Sequence, residues 1–270
     1  MSYRDALVAC FQDTQQMYES DNELKAAALW SRDHTVLIQE ADALALPRVP
    51  SGAGNIAITK RRTFESAEKL LGEYPDKLVA VLNFASPVNP GGGVVTGSSA
   101  QEERLCRCST LYPCLNQRML WDGYYLPNRA SRDSLSTDVC IYSPRVKVFK
   151  SDERMPEILP RERWYDLDVI TCAAPNLRRV VQTVSSDTLR QIHVSRARRI
   201  MSVAASRGVR VLVLGAFGCG AFRNDPRVVA SAWHQVAMEL GGWFDAVEFA
   251  VWCPPHDSTN YDAFVAEFNG

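Results

Sequence analysis

Short apolar runs alternate with amphipathic segments along most of the chain. The runs are rich in Val, Ile and Leu and predict β-strands, and several are almost uninterrupted, as is typical of central strands covered on both faces. The predicted strands are Thr35–Gln39, Lys77–Ala85, Asp138–Tyr142, Val146–Phe149, Leu167–Ala173, Val209–Ala216 and Ala246–Trp252.

Some of the intervening segments have apolar residues at helical spacing. They predict helices over about Thr63–Gly72, Ser185–Arg207 and Pro226–Leu240. Asp225 can cap the last of these, and Pro226 suits its first position because the N–H that Pro lacks would be unpaired there. Strands alternating with helices predict a layered α/β domain. We expect one domain over residues 1–270, with a helical extension over residues 1–30 and an irregular excursion around Arg145–Arg163.

Composition and charge narrow the class of protein. The 270 residues are 46% hydrophobic and 23% charged, and 30 basic residues against 31 acidic ones give a net charge of -1. This balance argues against a duplex nucleic-acid binder, whose affinity rests on a basic surface. No apolar run reaches the ~18–20 residues of a membrane-spanning helix, and the N-terminus has no signal-peptide pattern. We therefore expect a soluble, cytoplasmic protein, with a monomer favoured.

The eight cysteines could indicate disulfides or a metal site. Cys140 and Cys172 lie inside apolar runs, which indicates buried thiols in a reducing compartment. Cys106, Cys108 and Cys114 form no paired CxxC motif and have no matching histidine pair, so we interpret them as packing residues. The sequence thus predicts no metal site.

A glycine triplet, Gly91–Gly93, follows the strand predicted over Lys77–Ala85. Three glycines permit positive φ and a close approach of a ligand to the backbone. Ligands of α/β sheets bind beyond the carboxyl ends of the strands, where this loop lies. Taken alone, the triplet is weak evidence for a ligand site, because a glycine-rich loop is more often only a turn.

Gln101, Glu102 and Glu103 follow the triplet at the predicted start of a helix that runs towards Leu111. A structural explanation is available, because Ser99 and Glu102 match a capping box and acidic residues suit a first helical turn. Successive helical residues point about 100° apart, so the two carboxylates take different places in a site. One could cap or clamp a ligand while the other acts as general acid, since neighbouring carboxylates raise the pKa of each other.

A second glycine loop, Phe217–Phe222, lies between the strand Val209–Ala216 and the helix that starts at Pro226. Backbone N–H groups in such a loop, with the helix N-terminus behind them, can bind phosphate oxygens. The loop matches neither GxGxxG nor the Walker pattern, and a tight strand-to-helix turn is the alternative. We expect close ligand approach and positive φ at Gly220. A thiolate at Cys219 would repel phosphates, so backbone donation is the favoured interpretation.

Together, NFASPVNPGGGVVTGSSAQEERLCRCSTLY and the later LGAFGCGAFRNDP resemble poly(ADP-ribose) glycohydrolases of the bacterial or microbial type. The resemblance runs from about Tyr3 to Phe268. It implies an α/β macrodomain-like fold, with a mixed central sheet flanked by helices and an N-terminal helical extension. It also implies hydrolysis of the ribose–ribose O-glycosidic bond of poly(ADP-ribose), which releases ADP-ribose, without a cofactor.

The resemblance implies a role for each matching residue. Glu103 would be the catalytic acid and base, Glu102 would hold ribose hydroxyls, and Gln101 would support the loop. Phe222 would pack on the distal ribose, and Asp42 and the loop Trp252–Tyr261 are adenine candidates by position. The implied substrate-binding residues are Gln101, Asn89, Gly91, Gly92, Gly93, Gly218, Cys219, Gly220, Ala221 and Phe222.

Two other functions use the same glycine loops. A catalytically silent reader would bind ADP-ribose without needing the Glu102–Glu103 pair, which is intact here. A hydrolase of mono(ADP-ribosyl) bonds or of another ADP-ribose derivative would keep both the pair and the loops. The expected partner in every case is an ADP-ribose polymer or an ADP-ribosylated protein.

Overall fold

The computed structural model describes residues 2–48, 54–131, 133–178 and 184–269. Within these residues a seven-stranded sheet runs in the order β1-β4-β5-β3-β6-β7-β2. The strands are β1 Val36–Ile38, β2 Ile56–Thr59, β3 Val79–Phe84, β4 Cys140–Val148, β5 Tyr165–Cys172, β6 Val211–Leu214 and β7 Ala246–Ala250.

The sheet is mixed. The pairs β3–β5, β3–β6, β6–β7 and β7–β2 are parallel, whereas β4 pairs antiparallel with both β1 and β5. Every residue of β6 is buried, as is β3 up to Asn83, because these strands lie in the middle of the sheet with helices on both faces. The carboxyl ends of β3, β6 and β7 therefore meet at one edge, where both glycine loops begin. The mixed sheet flanked by helices is confirmed.

Helices cover both faces and form the N-terminal extension. Their bounds are α1 Tyr3–Ser20, α2 Asn22–Asp33, α3 Thr63–Glu73, α4 Gln101–Cys108, α5 Leu111–Leu115, α6 Arg118–Leu120, α7 Leu126–Ala130, α8 Ser186–Ser206, α9 Pro226–Leu240 and α10 Thr259–Asn269. A turn of π-helix, Trp121–Tyr125, joins α6 to α7. Asp225 caps α9 as predicted, through its carboxylate and the N–H of Arg227. Among the described helices, none has the length and apolarity to cross a membrane.

Two strand predictions are wrong. β2 was not predicted, because this edge strand has only four residues and none of them is fully buried. The separate strands predicted over Asp138–Tyr142 and Val146–Phe149 are one strand, β4, with a bulge at Arg145. Arg145 has a φ of 50°, and its N–H donates to the Asp168 carboxylate at 2.8 Å. The bulge interrupts the alternation of side chains and so hides the continuity of the strand.

Candidate active site

A cleft opens at the carboxyl ends of β3, β6 and β7. Its inner part is a cavity of about 150 Å³ that Glu102, Glu103 and the second glycine loop line. Its outer part is a cavity of about 460 Å³ between α3, α4 and the segment after β7. The two parts have six lining residues in common: Phe84, Ala100, Gln101, Ala216, Gly220 and Ala221. The sheet thus brings the two motifs, more than a hundred residues apart, into one site.

Glu103 lies in the first turn of α4 and lines the inner cavity. Its side chain is mostly enclosed, with 7% of the residue exposed. The N–H of Gly93 donates to Oε1 at 2.8 Å, whereas Oε2 has no hydrogen-bond partner among the described residues. A buried carboxylate with one anchored and one unpaired oxygen is suited to exchange a proton with a bound group.

Glu102 is buried next to it, with 3% of the residue exposed. Oε2 accepts from the N–H of Ser86 at 2.7 Å, and Oε1 lies 3.4 Å from Nδ2 of Asn83. Burial raises the pKa of Glu102 well above its usual range, and the neighbouring Glu103 raises it further. Both shifts favour the neutral form of this carboxyl group, whose two oxygens lie beside the Ser86 N–H and the Asn83 amide.

The capping-box interpretation of these residues is wrong. The N-cap of α4 is Ala100 rather than Ser99, and no side chain caps the helix. The carboxylate of Glu102 instead contacts the segment after β3, where Ser86 lies. The helix also ends at Cys108 and does not continue to Leu111. Tertiary contacts at the end of β3 therefore outweigh the local capping that the sequence indicated.

Gln101 fixes α4 to the end of β3. Its side-chain oxygen accepts from the N–H of Phe84 at 2.8 Å, and its Nε2 donates to the carbonyl of Leu82 at 2.7 Å and to Oγ1 of Thr63 at 3.1 Å. The amide therefore continues the hydrogen-bonding pattern of the strand. These bonds hold the start of α4 against the end of β3 and against Thr63, and Gln101 also lines both parts of the cleft.

The glycine triplet lies against the two carboxylates. Gly91 and Gly92 have φ values of 66° and 59°, in the left-handed region that favours glycine. A Cβ on Gly92 would lie 2.5 Å from Oε1 of Glu103 and 3.0 Å from Oε2 of Glu102. Gly91, Gly92 and Gly93 do not appear among the residues that line either part of the cleft. Gly92 therefore leaves room for the side chains of Glu102 and Glu103.

The second loop presents its backbone to the inner cavity through Gly218, Gly220, Ala221 and Phe222. Among the described residues, none accepts a hydrogen bond from the N–H groups of these four. The expectation of positive φ at Gly220 is wrong. Gly218 has the positive φ, 82°, and a Cβ there would meet Ala174 and Asn224. Gly220 borders open space instead.

Polar side chains behind the second loop hold its shape. Asn224 donates to the carbonyls of Gly218 and Pro175 at 2.9 and 2.8 Å, and its oxygen lies 2.9 Å from Nε2 of His193. Burial lowers the pKa of His193 to about 4. The N-terminus of α9 is already capped by the Asp225 carboxylate, so the helix adds less positive potential to the loop than the sequence suggested.

Several predicted residues do not line the cleft. Asn89 is exposed and its side-chain oxygen accepts from Arg129. Cys219 points away from the cavities, and burial raises the pKa of its thiol. Asp42 accepts from the N–H of Gln39, beside β1, on the far side of the sheet from β7. Cys106, Cys108 and Cys114 are buried thiols, as predicted.

The sequence did not identify Arg62, Thr63 and Phe84, which line the outer cavity. Trp252 was a candidate only by position, and it lies there with the Arg62 guanidinium 3.9 Å above its ring. The feature of the sequence that could have identified Arg62 and Phe84 is their position at or just after the end of a strand. Phe84 ends β3 and was part of a predicted strand, but Arg62 follows β2, which was not predicted.

Comparisons with a family model and with solved structures both find poly(ADP-ribose) glycohydrolases (PARG). A family model described as the catalytic domain of microbial-type PARG matches residues 15–151. The poly(ADP-ribose) glycohydrolase of Thermomonospora curvata is similar to this chain with a TM-score of 0.87 and 30% identity, over 98% of this chain and 100% of that one. The enzyme of Deinococcus radiodurans in complex with ADP-ribose has a TM-score of 0.76 and 35% identity, over 90% of this chain and 96% of that one. None of the curated proteins matches.

Proposed function

This chain belongs to the microbial-type poly(ADP-ribose) glycohydrolases, and from that premise we propose that Glu103 is the acid and base of its reaction. The chain is a glycosidase that hydrolyses the ribose–ribose O-glycosidic bond of poly(ADP-ribose) and releases ADP-ribose. The observation that carries the assignment is the unpaired Oε2 of Glu103, a residue that lines the inner cavity together with the second glycine loop.

The reaction requires one proton to be delivered and one to be removed. Protonated Glu103 gives its proton to the leaving 2′ oxygen as the glycosidic bond breaks and positive charge develops on the distal ribose. The carboxylate that results takes a proton from a water molecule, whose oxygen bonds to the anomeric carbon. Glu103 is then protonated again for the next cycle. The N–H of Gly93 keeps one oxygen fixed throughout, so the other oxygen carries the proton.

Glu102 holds the distal ribose in this scheme. Its buried carboxyl group lines the inner cavity, where it can form hydrogen bonds with the ribose hydroxyls. The N–H of Ser86 fixes the position of this group at 2.7 Å. Ground-state contacts of this kind orient the sugar so that its anomeric carbon faces Glu103.

The second loop binds the diphosphate through its free N–H groups, and Phe222 packs beside the distal ribose. Adenosine then occupies the outer cavity, where the Trp252 ring offers a stacking surface. The role of Gly91, Gly92 and Gly93 is mainly to leave room for the carboxylates of Glu102 and Glu103. Asn89 and Cys219 line neither cavity, so any contribution that they make comes from outside the cleft.

We further infer the setting in which the enzyme works. The fold is macrodomain-like and forms one catalytic domain over residues 1–270, including the helical extension. The balanced charge argues against binding of duplex nucleic acid, and the many reduced thiols support a cytoplasmic location. A monomer stays a prediction. The scheme assigns every proton transfer to protein groups and so uses no metal or cofactor.

The test compares the wild type with Glu103→Gln on a defined polymer and on a mono-modified protein, with released ADP-ribose measured. Gln keeps the size of the side chain but cannot transfer a proton, so we expect the rate of polymer hydrolysis to fall ~100-fold or more. Glu73→Gln, at an exposed position of α3, is the matched control and should keep full turnover. Near-normal hydrolysis by Glu103→Gln would refute the assignment.

A further inference from the structure

A closed ring of hydrogen bonds surrounds the catalytic end of α4. Arg107 lies one helical turn after Glu103, and its Nη2 donates to the carbonyl of Ser98. The N–H of Ser98 donates to the carbonyl of Gly93 at 3.0 Å. The N–H of Gly93 donates to Oε1 of Glu103 at 2.8 Å, and the backbone of α4 returns to Arg107. The position of the Glu103 carboxylate is thus linked to that of Arg107 through the loop.

The N-terminal helix forms the backing of this ring. Arg107 is buried, with 1% of the residue exposed, and its Nε donates to the carbonyl of Leu7 in α1 at 3.1 Å. Oγ1 of Thr14 donates to the carbonyl of Arg107 at 2.6 Å. Nearer the start of α1, Nε of Arg4 donates to the carbonyl of Thr96 at 2.5 Å. Helix α1 therefore contacts both the helix that carries Glu103 and the loop that anchors it.

A buried guanidinium is suited to this arrangement. Its planar group donates from separate nitrogens in fixed directions, so it holds two carbonyls at a set separation, whereas the donors of an ammonium group rotate about one nitrogen. Burial lowers the pKa of Arg107 and the nearby Glu103 carboxylate raises it. The charge itself is retained, because an arginine in a protein does not deprotonate.

We propose that Arg107 is a positioning residue of the reaction: through Ser98 and Gly93 it fixes the Glu103 carboxylate, with helix α1 as its support. This inference rests on the proposed role of Glu103. It gives the N-terminal extension a catalytic purpose, because α1 supplies the fixed carbonyl of Leu7 against which the guanidinium is oriented. Displacement of a catalytic group by about 1 Å can cost ~100-fold in rate, so a loosened ring should be visible in kcat.

The test uses Arg107→Met, Arg107→Lys and Arg4→Met, with turnover normalised to folded protein. We expect Arg107→Met to lower kcat about 10- to 100-fold while KM and ADP-ribose affinity change little. Arg107→Lys should recover part of the loss, because it keeps the charge but donates from one nitrogen and so cannot reproduce the fixed spacing of the two carbonyls. Arg4→Met removes one exposed hydrogen bond to the carbonyl of Thr96, so kcat should fall by a few-fold at most.

Lys150→Met is the matched control. Nζ of Lys150 is also buried and binds α1, through Asp13 at 2.6 Å and Thr14 at 2.8 Å, but it does not contact the glycine loop. It should lower the melting temperature without lowering kcat. Hydrogen exchange adds a readout that does not depend on catalysis. The amides of residues 93–98 should exchange faster in Arg107→Met than in the wild type, and at the wild-type rate in Lys150→Met.

Two results would overturn the proposal. One is a lower melting temperature in Arg107→Met and Arg107→Lys with unchanged kcat per folded molecule, and the other is a rise in KM alone. If Arg107→Met does not fold, Arg107→Lys and Arg4→Met decide the question with the same readouts. Glu103→Gln separates failure of this inference from failure of the proposed function. If Glu103 is not the acid and base, Glu103→Gln keeps its turnover, whatever the result for the Arg107 variants.

Discussion

The two glycine-rich loops follow neighbouring strands, β3 and β6, yet they use glycine in opposite ways. In the loop after β3, the N–H of Gly93 already binds Glu103, and the space beside Gly92 is filled by a carboxylate. In the loop after β6, the N–H groups of Gly218 and Gly220 are free among the described residues, and the space beside Gly220 is open. The first loop therefore holds protein groups, and the second is left open to hold a ligand.

This difference separates chemistry from binding. A substitution in the first loop should displace a carboxylate and slow the reaction, whereas one in the second loop should obstruct the ligand and weaken binding. The prediction follows from what lies next to each glycine and not from the glycines themselves. Four substitutions test it, from the largest expected effect to the smallest.

The largest effect is expected from Gly92→Ala. Its Cβ would lie 2.5 Å from Oε1 of Glu103, so the carboxylate must move. We expect kcat to fall ~100-fold or more, as measured by release of ADP-ribose from polymer. Gly208→Ala is the matched control, because Gly208 also has a positive φ, 78°, but no atom lies near its Cβ position. The control should lose about 1–2 kcal/mol of stability and keep its turnover. Equal turnover in the two variants would contradict the account.

Gly220→Val should weaken ADP-ribose binding by about tenfold or more, since a branched side chain would enter the cleft that the ligand fills. Calorimetry in the presence of a chelator measures the affinity and shows that no divalent cation is needed. Gly72→Val, at an open and exposed position of α3, controls for the added side chain. Unchanged affinity in folded Gly220→Val would place the diphosphate elsewhere, and affinity that returns only with magnesium would refute backbone binding.

Glu102→Gln should slow turnover by about tenfold, because the amide keeps the shape but alters the hydrogen bonds to ribose. It should also change the pH dependence of stability. The pKa of Glu102 is raised in the folded state, so the folded protein binds this proton more tightly and wild-type stability falls as pH rises above 4.5, the ordinary value. The variant lacks this loss and should be more stable than the wild type at neutral pH. If the difference in melting temperature between Glu102→Gln and the wild type is the same at every pH, the raised pKa of Glu102 is contradicted.

The smallest effect at neutral pH is expected from His193→Gln, behind the second loop. The pKa of His193 is lowered from 6.5 to about 4, so the unfolded state binds more protons and stability is lost as pH falls between these values. The expected slope is on the order of 1 kcal/mol per pH unit. Gln can still donate to Asn224 but does not titrate, so the variant should lose less stability in acid. Identical acid melting of both proteins would show that His193 is not buried in its neutral form.

The sequence was most informative where the pattern extends over many residues. Buried strands such as β3 and β6 and the capped start of α9 at Asp225 followed from apolar runs and local chemistry. The sequence was least informative where a contact between distant segments decides the outcome. Ser99 and Glu102 satisfy the local capping rule, but a partner after β3 takes the Glu102 carboxylate instead.

The same limit applies to the cleft. The two motifs were identified from their residues. The sequence did not show that the N–H groups of the second loop are free while that of Gly93 in the first loop is bonded, because this depends on packing. Gly218, and not Gly220, has the positive φ, and the space beside it is filled by Asn224 and Ala174, which lie outside the loop. Arg107 could not be singled out either, since Leu7, whose carbonyl it binds, is a hundred residues away.

The most direct test of the division between chemistry and binding is a paired measurement of ADP-ribose affinity and polymer turnover for Glu103→Gln and Gly220→Val. The account predicts that Glu103→Gln binds ADP-ribose within about twofold of the wild type while its turnover is lost. It predicts that Gly220→Val binds weakly but recovers turnover when polymer is saturating. A parallel loss of affinity and of saturated turnover in both variants would contradict it.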